Sequence, residues 1–173
     1  MSDIFSRLKS GEAIHMQNEP EYHAVAHKEM ARCRQLCFRV NYTFPENDIL
    51  WELENKLFGE KLPKTSFFTA PFQVDYACQM EIGEHVFTNH DLTVMSAGGV
   101  TLDDNVMIGP GATILTVNHD FSDTQILLCK PVHIKKGAWI GAKSIIMPGV
   151  TIGEGSVVGS GAIVTHDVPD HVV

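Results

Sequence analysis

Counting in sixes from Ile134 meets Ile140, Ile146, Ile152, Val158 and Val164, an aliphatic residue at every step. Two residues before each of these stands Val132, Ala138, Ser144, Val150, Ser156 or Ala162, so the second frame is small or slim throughout. A helix repeats its buried side every 3.6 residues and a flat strand every second residue. A strict period of six therefore predicts short strands that turn a corner every six residues, which is a solenoid. The same frame runs upstream through Leu102, Ile108 and Ile114, with Val100, Val106 and Ala112 two places back. A weaker run passes through Tyr76, Ile82, Thr88 and Val94, preceded by Val74, Met80, Val86 and Leu92. Its step to Leu102 is eight residues, with Gly98 and Gly99 in the gap, and reads as a bulge or corner insertion. From Val117 to Pro131 no register is kept. In a fold whose turns are otherwise very short, such an excursion predicts a functional loop.

Ahead of the solenoid, residues 3 to 9 predict a short helix ending at Gly11, and a longer one runs from Glu19 or Pro20 to Phe38. A third spans Glu46 to Phe58, with Pro45 near its start and Gly59 after its end. The expected organisation is a helical cap over 1–60, a linker over 61–71 and a solenoid over 72–173 that extrudes the loop 117–131.

With 44% apolar and 20% charged residues in 173, the composition is that of an ordinary globular chain. No apolar run approaches the roughly 20 residues of a membrane span and the first residues lack a signal-peptide core, so a cytoplasmic protein without membrane partners is expected. Cys33, Cys37, Cys78 and Cys129 have no metal-knuckle spacing and read as free thiols. A net charge of −8 argues against nucleic acid as a partner. Lys130, His133, Lys135, Lys136 and Lys143 nevertheless crowd beside the excursion, which predicts a local cationic patch suited to a small polyanion.

Within the excursion stands His119, in Thr116-Val117-Asn118-His119-Asp120. Imidazole titrates near neutrality, so a loop histidine beside a cleft can take a proton from an attacking hydroxyl. The array with Trp139-Ile140-Gly141, Ile146-Met147-Pro148-Gly149-Val150-Thr151-Ile152-Gly153 and Val158-Gly159-Ser160-Gly161-Ala162-Ile163-Val164-Thr165 resembles the bacterial hexapeptide-repeat acyltransferases. The opening Arg7-Leu8-Lys9-Ser10-Gly11-Glu12, the helical cap and Asn118-His119 resemble the maltose and galactoside O-acetyltransferase branch, and the match covers essentially the whole chain.

That resemblance implies a left-handed parallel β-helix of triangular section, a homotrimer with active sites between neighbouring helices, acetyl-CoA as donor and no metal. It implies His119 as general base toward a hydroxyl of a sugar or related small acceptor. Asn89 matches an acceptor-site position. Gly109, Trp139, Gly141 and Ala142 match the stretch along the pantetheine arm, and Ser160, Thr165 and His166 lie toward the nucleotide. The family's acidic residue in the cap falls at about Met16, a serine becomes Asp75, and a second acidic position falls at Ala97, so a rebuilt acceptor pocket around Met16, Asp75 and Asn89 is expected. The sequence stops where the family continues into a Gly-x-Pro-Ala-Lys-like tail, from which weak, salt-sensitive acetyl-CoA binding through Ser160, Thr165, His166 and the lysine patch is expected. Two other readings stand beside this one. The first is a non-catalytic trimeric scaffold, and the second is a zinc hydratase like the γ-class carbonic anhydrases, suggested by the spacing of His85 and His90.

Overall fold

The computed structural model describes residues 3–173. Three parallel sheets form the three sides of a β-helix. The first side stacks Phe67–Phe68, Phe87–Thr88, Met107–Ile108, Trp139–Ile140 and Val157–Val158. The second stacks Phe72–Val74, Leu92–Met95, Thr113–Leu115, Ile145–Ile146 and Ile163–Val164. The third stacks Met80–Ile82, Val100–Leu102, Val132–Ile134 and Thr151–Ile152. Ile134 pairs with Ile152, 18 residues on, so a coil is three hexads. The aliphatic frame points inward, and Leu102, Ile108, Ile114, Ile134, Ile140, Ile146 and Ile152 are buried together in one core. The small second frame fits the corners, where a longer side chain would have no room. Ser144 there donates its hydroxyl to the carbonyls of Gly141 (2.8 Å) and Gly159 (3.1 Å), satisfying corner groups that no strand partner reaches.

The early register differs from the sequence reading. Val74 pairs with Val94 and Ile82 with Leu102, so Tyr76 lies at the corner, not in the strand frame. The eight-residue step is therefore made twice, from Val74 to Ile82 and from Val94 to Leu102. The long excursion from Thr116 to Pro131 leaves the third coil at the same corner, between the second and third sides. Ser96 Oγ donates to Tyr76 O (2.9 Å) and Thr116 Oγ1 to Met95 O (2.7 Å), so side-chain hydroxyls tie the three insertions into one column.

Helix α1 is Ile4–Lys9, with the Asp3 carboxylate accepting from the N–H groups of Phe5 (3.0 Å) and Ser6 (3.2 Å). Helix α2, His27–Tyr42, starts later than expected and runs past Phe38, and it is entered through a π-helical turn, Tyr22–Ala26; α3 is Asn47–Leu57. The stretch 61–71, expected as linker, already contains the first solenoid strand, Phe67–Phe68. The last two helices close the open edge of the first coil. Asn41 Nδ2 donates to Phe72 O (2.8 Å) while its Oδ1 accepts from Phe72 N (3.0 Å), copying the bonds of a neighbouring strand. Glu54 accepts from Phe68 N (3.2 Å). Phe58, Phe68 and Phe72 stack beneath, with ring centroids 4.6 and 5.4 Å apart. Among the described residues all four cysteines are free and no helix is long and apolar enough to cross a membrane.

Glu54 has only 2% of its surface exposed, and burial pushes its carboxyl up to about 7 from 4.5, opposed only by the Phe68 N–H. The folded state thus keeps a proton that the unfolded chain loses between these two values. Stability falls as pH rises through that window and stays lowered above it, by about 3 kcal/mol for a shift of this size. Glu54→Gln, which keeps an acceptor for Phe68 N, should flatten this part of the stability profile and raise the melting temperature at pH 8. Denaturant titrations of both proteins at pH 5 and pH 8 check this; equal pH dependence would show that Glu54 is solvated.

Candidate active site

The excursion folds as a hairpin, Val117–His119 against Ile126–Cys129, and Ile14–His15 adds a third antiparallel strand to its outer edge. In register, His119 lies opposite Leu127, and Leu127 opposite Ile14, so the three side chains share one face of this sheet. Val117 and Cys129 share it too. That face packs on Ile4, Leu8, Tyr22, Ala26, Tyr76 and Ala97, joining cap, corner and hairpin in one apolar cluster. His119 stands exposed at its margin. Met16, two residues past Ile14, continues the ladder by donating its N–H to Gln125 O (2.8 Å), which sets it on the same side of the sheet as His119.

His119 Nδ1 lies 2.7 Å from the carbonyl oxygen of Thr124. A carbonyl can only accept, so Nδ1 carries the proton and Nε2 keeps its lone pair directed away from the loop. The intervening turn is held by Asp120, whose Oδ1 accepts from the N–H groups of Ser122 (2.8 Å) and Asp123 (3.3 Å); bonds to Ser122 keep its carboxyl below the usual range. His15 pairs with Asp123 on the same loop at 3.4 Å, a support that the sequence does not signal.

Asp75 sits at the corner below the hairpin. Its Oδ1 accepts from Tyr76 N (2.8 Å), Ser96 N (2.7 Å) and Ser96 Oγ (3.0 Å), so one oxygen braces two coils. Burial pushes the carboxyl above its ordinary value despite the opposing Ser96 bonds. Between α2 and the outer face of the second side runs an open cleft of about 210 Å³, bordered by Met30, Arg34, Gln73, Asp75, Thr93 and Met95. Met30 also packs against the apolar cluster on which Met16 and Val117 pack, so the cleft and the hairpin share that cluster as a base. Met30 and Arg34 escape the sequence reading, although their spacing of four places them on one helical face. A larger cleft of about 370 Å³ lies on the third side and, of the nominated residues, is lined only by Lys136 of the lysine patch.

The remaining nominated residues fall elsewhere. Asn89, Gly109, Gly141 with Ala142, and Ser160 stack on successive coils at the corner between the first and second sides, where Asn89 N, Gly109 N and Gly141 N each donate at 2.8 Å to the next coil. Glycine is required here. A Cβ on Gly109 would lie 2.7 Å from Ala142 N, and one on Gly141 would lie 2.6 Å from Ser160 N. Trp139 projects outward from the first side beside this column, about half exposed. Thr165 and His166, hydrogen-bonded to each other at 2.9 Å, follow the second side and so belong to the corner of His119, away from Ser160. From Gly109 to Thr116 the chain crosses the whole second side, roughly 20 Å at the rise of an extended strand. The nominated residues therefore fall on two different edges of the solenoid.

Two expectations are corrected by this arrangement. The cationic patch is dispersed, because six-residue turns carry Lys130, Lys135–Lys136 and Lys143 to three different corners, and His133 and Lys135 are matched by Asp103 (3.0 Å) and Asp170 (3.1 Å). His85 and His90 lie before and after a first-side strand, at different corners, and among the described residues no group of three or more His, Cys, Asp or Glu side chains could hold a metal.

Residues 131–166 match the family described as bacterial transferase hexapeptide (six repeats). A Staphylococcus aureus protein named as an acetyltransferase is 36% identical over 148 residues, covering 83% of this chain and 74% of its own. The galactoside O-acetyltransferase of Escherichia coli is 33% identical over 146 residues, covering 82% and 72%. A hexapeptide-repeat acetyltransferase of Vibrio cholerae, solved in complex with acetyl-CoA, superposes with a TM-score of 0.84 at 28% identity, covering 98% of this chain and 91% of its own.

The Thr124 carbonyl should hold His119 as the Nδ1–H tautomer, whereas a histidine side chain free in solution favours the proton on Nε2. Long-range ¹⁵N–¹H correlation of labelled protein with neutral rings reads the difference directly. A dominant Nε2–H signal would mean that the Thr124 bond does not persist in solution.

Proposed function

Because the chain belongs to the bacterial hexapeptide-repeat acetyltransferases, we propose that it carries the acetyl group of acetyl-CoA to a hydroxyl of a sugar or related small acceptor, with His119 as general base. The observation that supports this reading most directly is the fixed tautomer of His119, which leaves Nε2 of an exposed ring as a proton acceptor. Nε2 takes the hydroxyl proton as the acceptor oxygen attacks the thioester carbon, and gives it to the departing sulfur, so that the free thiol and the acetyl ester are formed and the imidazole is restored. The Nδ1–H bond to Thr124 O strengthens while the ring is cationic, stabilising that step.

The donor's place is proposed along the column of Gly109, Gly141, Ala142 and Ser160. The half-exposed indole of Trp139 flanks this column and offers a flat wall to an extended arm. Since this column and His119 are on different edges of one protomer, the complete site is proposed to form where one copy's corner meets the other corner of its neighbour. Phe67, Phe87, Met107, Trp139 and Val157 form an outward apolar ladder on the first side, with Phe67 50%, Met107 46% and Trp139 49% exposed, a surface that gains by burial against another copy. A homotrimer satisfies both demands.

His119→Ala should lower kcat by about 10² to 10⁴ on the best acceptor found while acetyl-CoA affinity, read by calorimetry, is kept. Retention of more than half the parent rate would remove His119 from the mechanism. Sedimentation should give three times 19.1 kDa, and Met107→Glu, placed within the apolar ladder, should dissociate the assembly and abolish transfer together. A fully active monomer would overturn the shared site.

A further inference from the structure

We infer that the cleft between α2 and the second side selects acceptors that carry an anionic group, with Arg34 as the residue that holds it; this rests on the reading that a hydroxyl compound is acetylated there. The cleft has two walls. Met30 and Arg34, one turn apart on α2, form one, and Gln73, Thr93 and Met95, the outward residues of the second side, form the other. Asp75 closes the corner end. Arg34 is its only cationic lining residue.

The guanidinium has no counter-ion because local pairing leaves none. The one acid on α2 within reach, Glu29, is held by Arg32 in a two-pronged bond, 2.7 Å at each prong, and Arg32 adds the carbonyls of Lys56 (3.0 Å) and Leu57 (2.8 Å). Arg7 is likewise taken, by Glu12 and Glu19 at 2.7 Å each. Arg34 makes no ion pair or side-chain hydrogen bond among the described residues. Asp75 does not replace the missing partner, since its Oδ1 is spent on Tyr76 and Ser96 and it makes no ion pair with Arg34. The cleft is thus polarised, with a carboxyl at the corner end and an unmatched guanidinium on the helical wall. Met30 and Met95 offer an adaptable apolar surface between them.

A guanidinium in such a place binds carboxylate or phosphate oxygens through paired N–H donors, which a neutral sugar cannot match. Long-range attraction cannot supply this preference, because the chain carries a net charge of −8 and repels anions as a whole. The selection has to be local. The acceptor that fits presents hydroxyls toward Asp75 and His119 and an anionic group toward Arg34, as a sugar acid or a sugar phosphate does.

The test compares a methyl hexoside, its uronate and its phosphate as acceptors. With the parent protein, kcat/KM for at least one anionic member should exceed that for the neutral hexoside by tenfold or more. Preference for the uronate alone identifies a carboxylate acceptor, and preference for the phosphate alone a phosphorylated one. Arg34→Gln should bring the ratio of anionic to neutral kcat/KM close to one, while Arg34→Lys, a point charge without the fork, should keep part of it and keep more for phosphate than for carboxylate. A parent that prefers the neutral sugar, or a ratio unmoved in both variants, overturns the inference. Calorimetric binding of the same three sugars without acetyl-CoA separates the two layers of the argument. Preferential binding of an anionic sugar, lost in Arg34→Gln, sustains this inference even where no transfer is seen and the acetyl-transfer reading fails. Equal binding of all three defeats it whether or not transfer occurs.

Discussion

Every strand of this protein is two to four residues long, too short to be stable unless both of its edges are bonded. The coil-to-coil hydrogen bonds are therefore the constraint on which the rest depends. Each N–H and C=O along a side must find the equivalent group one coil away, so the rise and width of the coils cannot vary, and an aliphatic residue must recur at every inward position. The two frames are the sequence image of this requirement, one filling the core and the other leaving space at the corners. The same requirement explains α2 and α3. The first coil has no coil beneath it, and Asn41 and Glu54 supply from helices the bonds that a further strand would have made.

A structure so constrained can accept extra residues only where the ladder is already interrupted, at a corner. All three insertions use the same one, and their stacking turns a tolerated irregularity into a platform. The hairpin of His119 grows from the topmost insertion and is stiffened by Ile14–His15 from the beginning of the chain. The histidine is thereby fixed within a loop that a distant strand braces. Thr124 sets its tautomer, and the turn around Asp120 holds Thr124 in place. A loop carrying an exposed histidine is in this way tied to the solenoid.

The periodicity also disperses what is adjacent in sequence. Six residues carry the chain around a corner, so the lysines from 130 to 143 point in three directions and His85 and His90 are parted, while Asn89 and Ser160 share one edge. Neighbours in the protein are 18 residues apart, or 20 or 32 where insertions intervene, as in the pairs Ile134–Ile152, Ile82–Leu102 and Leu102–Ile134.

The hexad frame, the excursion from Val117 and the three helices could all be read from the sequence, because each follows from a local rule of burial or capping that one stretch of chain must satisfy by itself. His119 was legible for the same reason, as a titratable residue in the segment that keeps no register. Other features required the folded chain. Tyr76 could be assigned to a corner only once Val74 was seen to pair with Val94, since an apolar residue satisfies either frame equally well. The third strand at Ile14 and the cleft between Arg34 and Asp75 arise from contacts between segments separated by tens to more than a hundred residues. No local pattern encodes such contacts, because they are decided by how the coils stack and where the cap comes to rest on them.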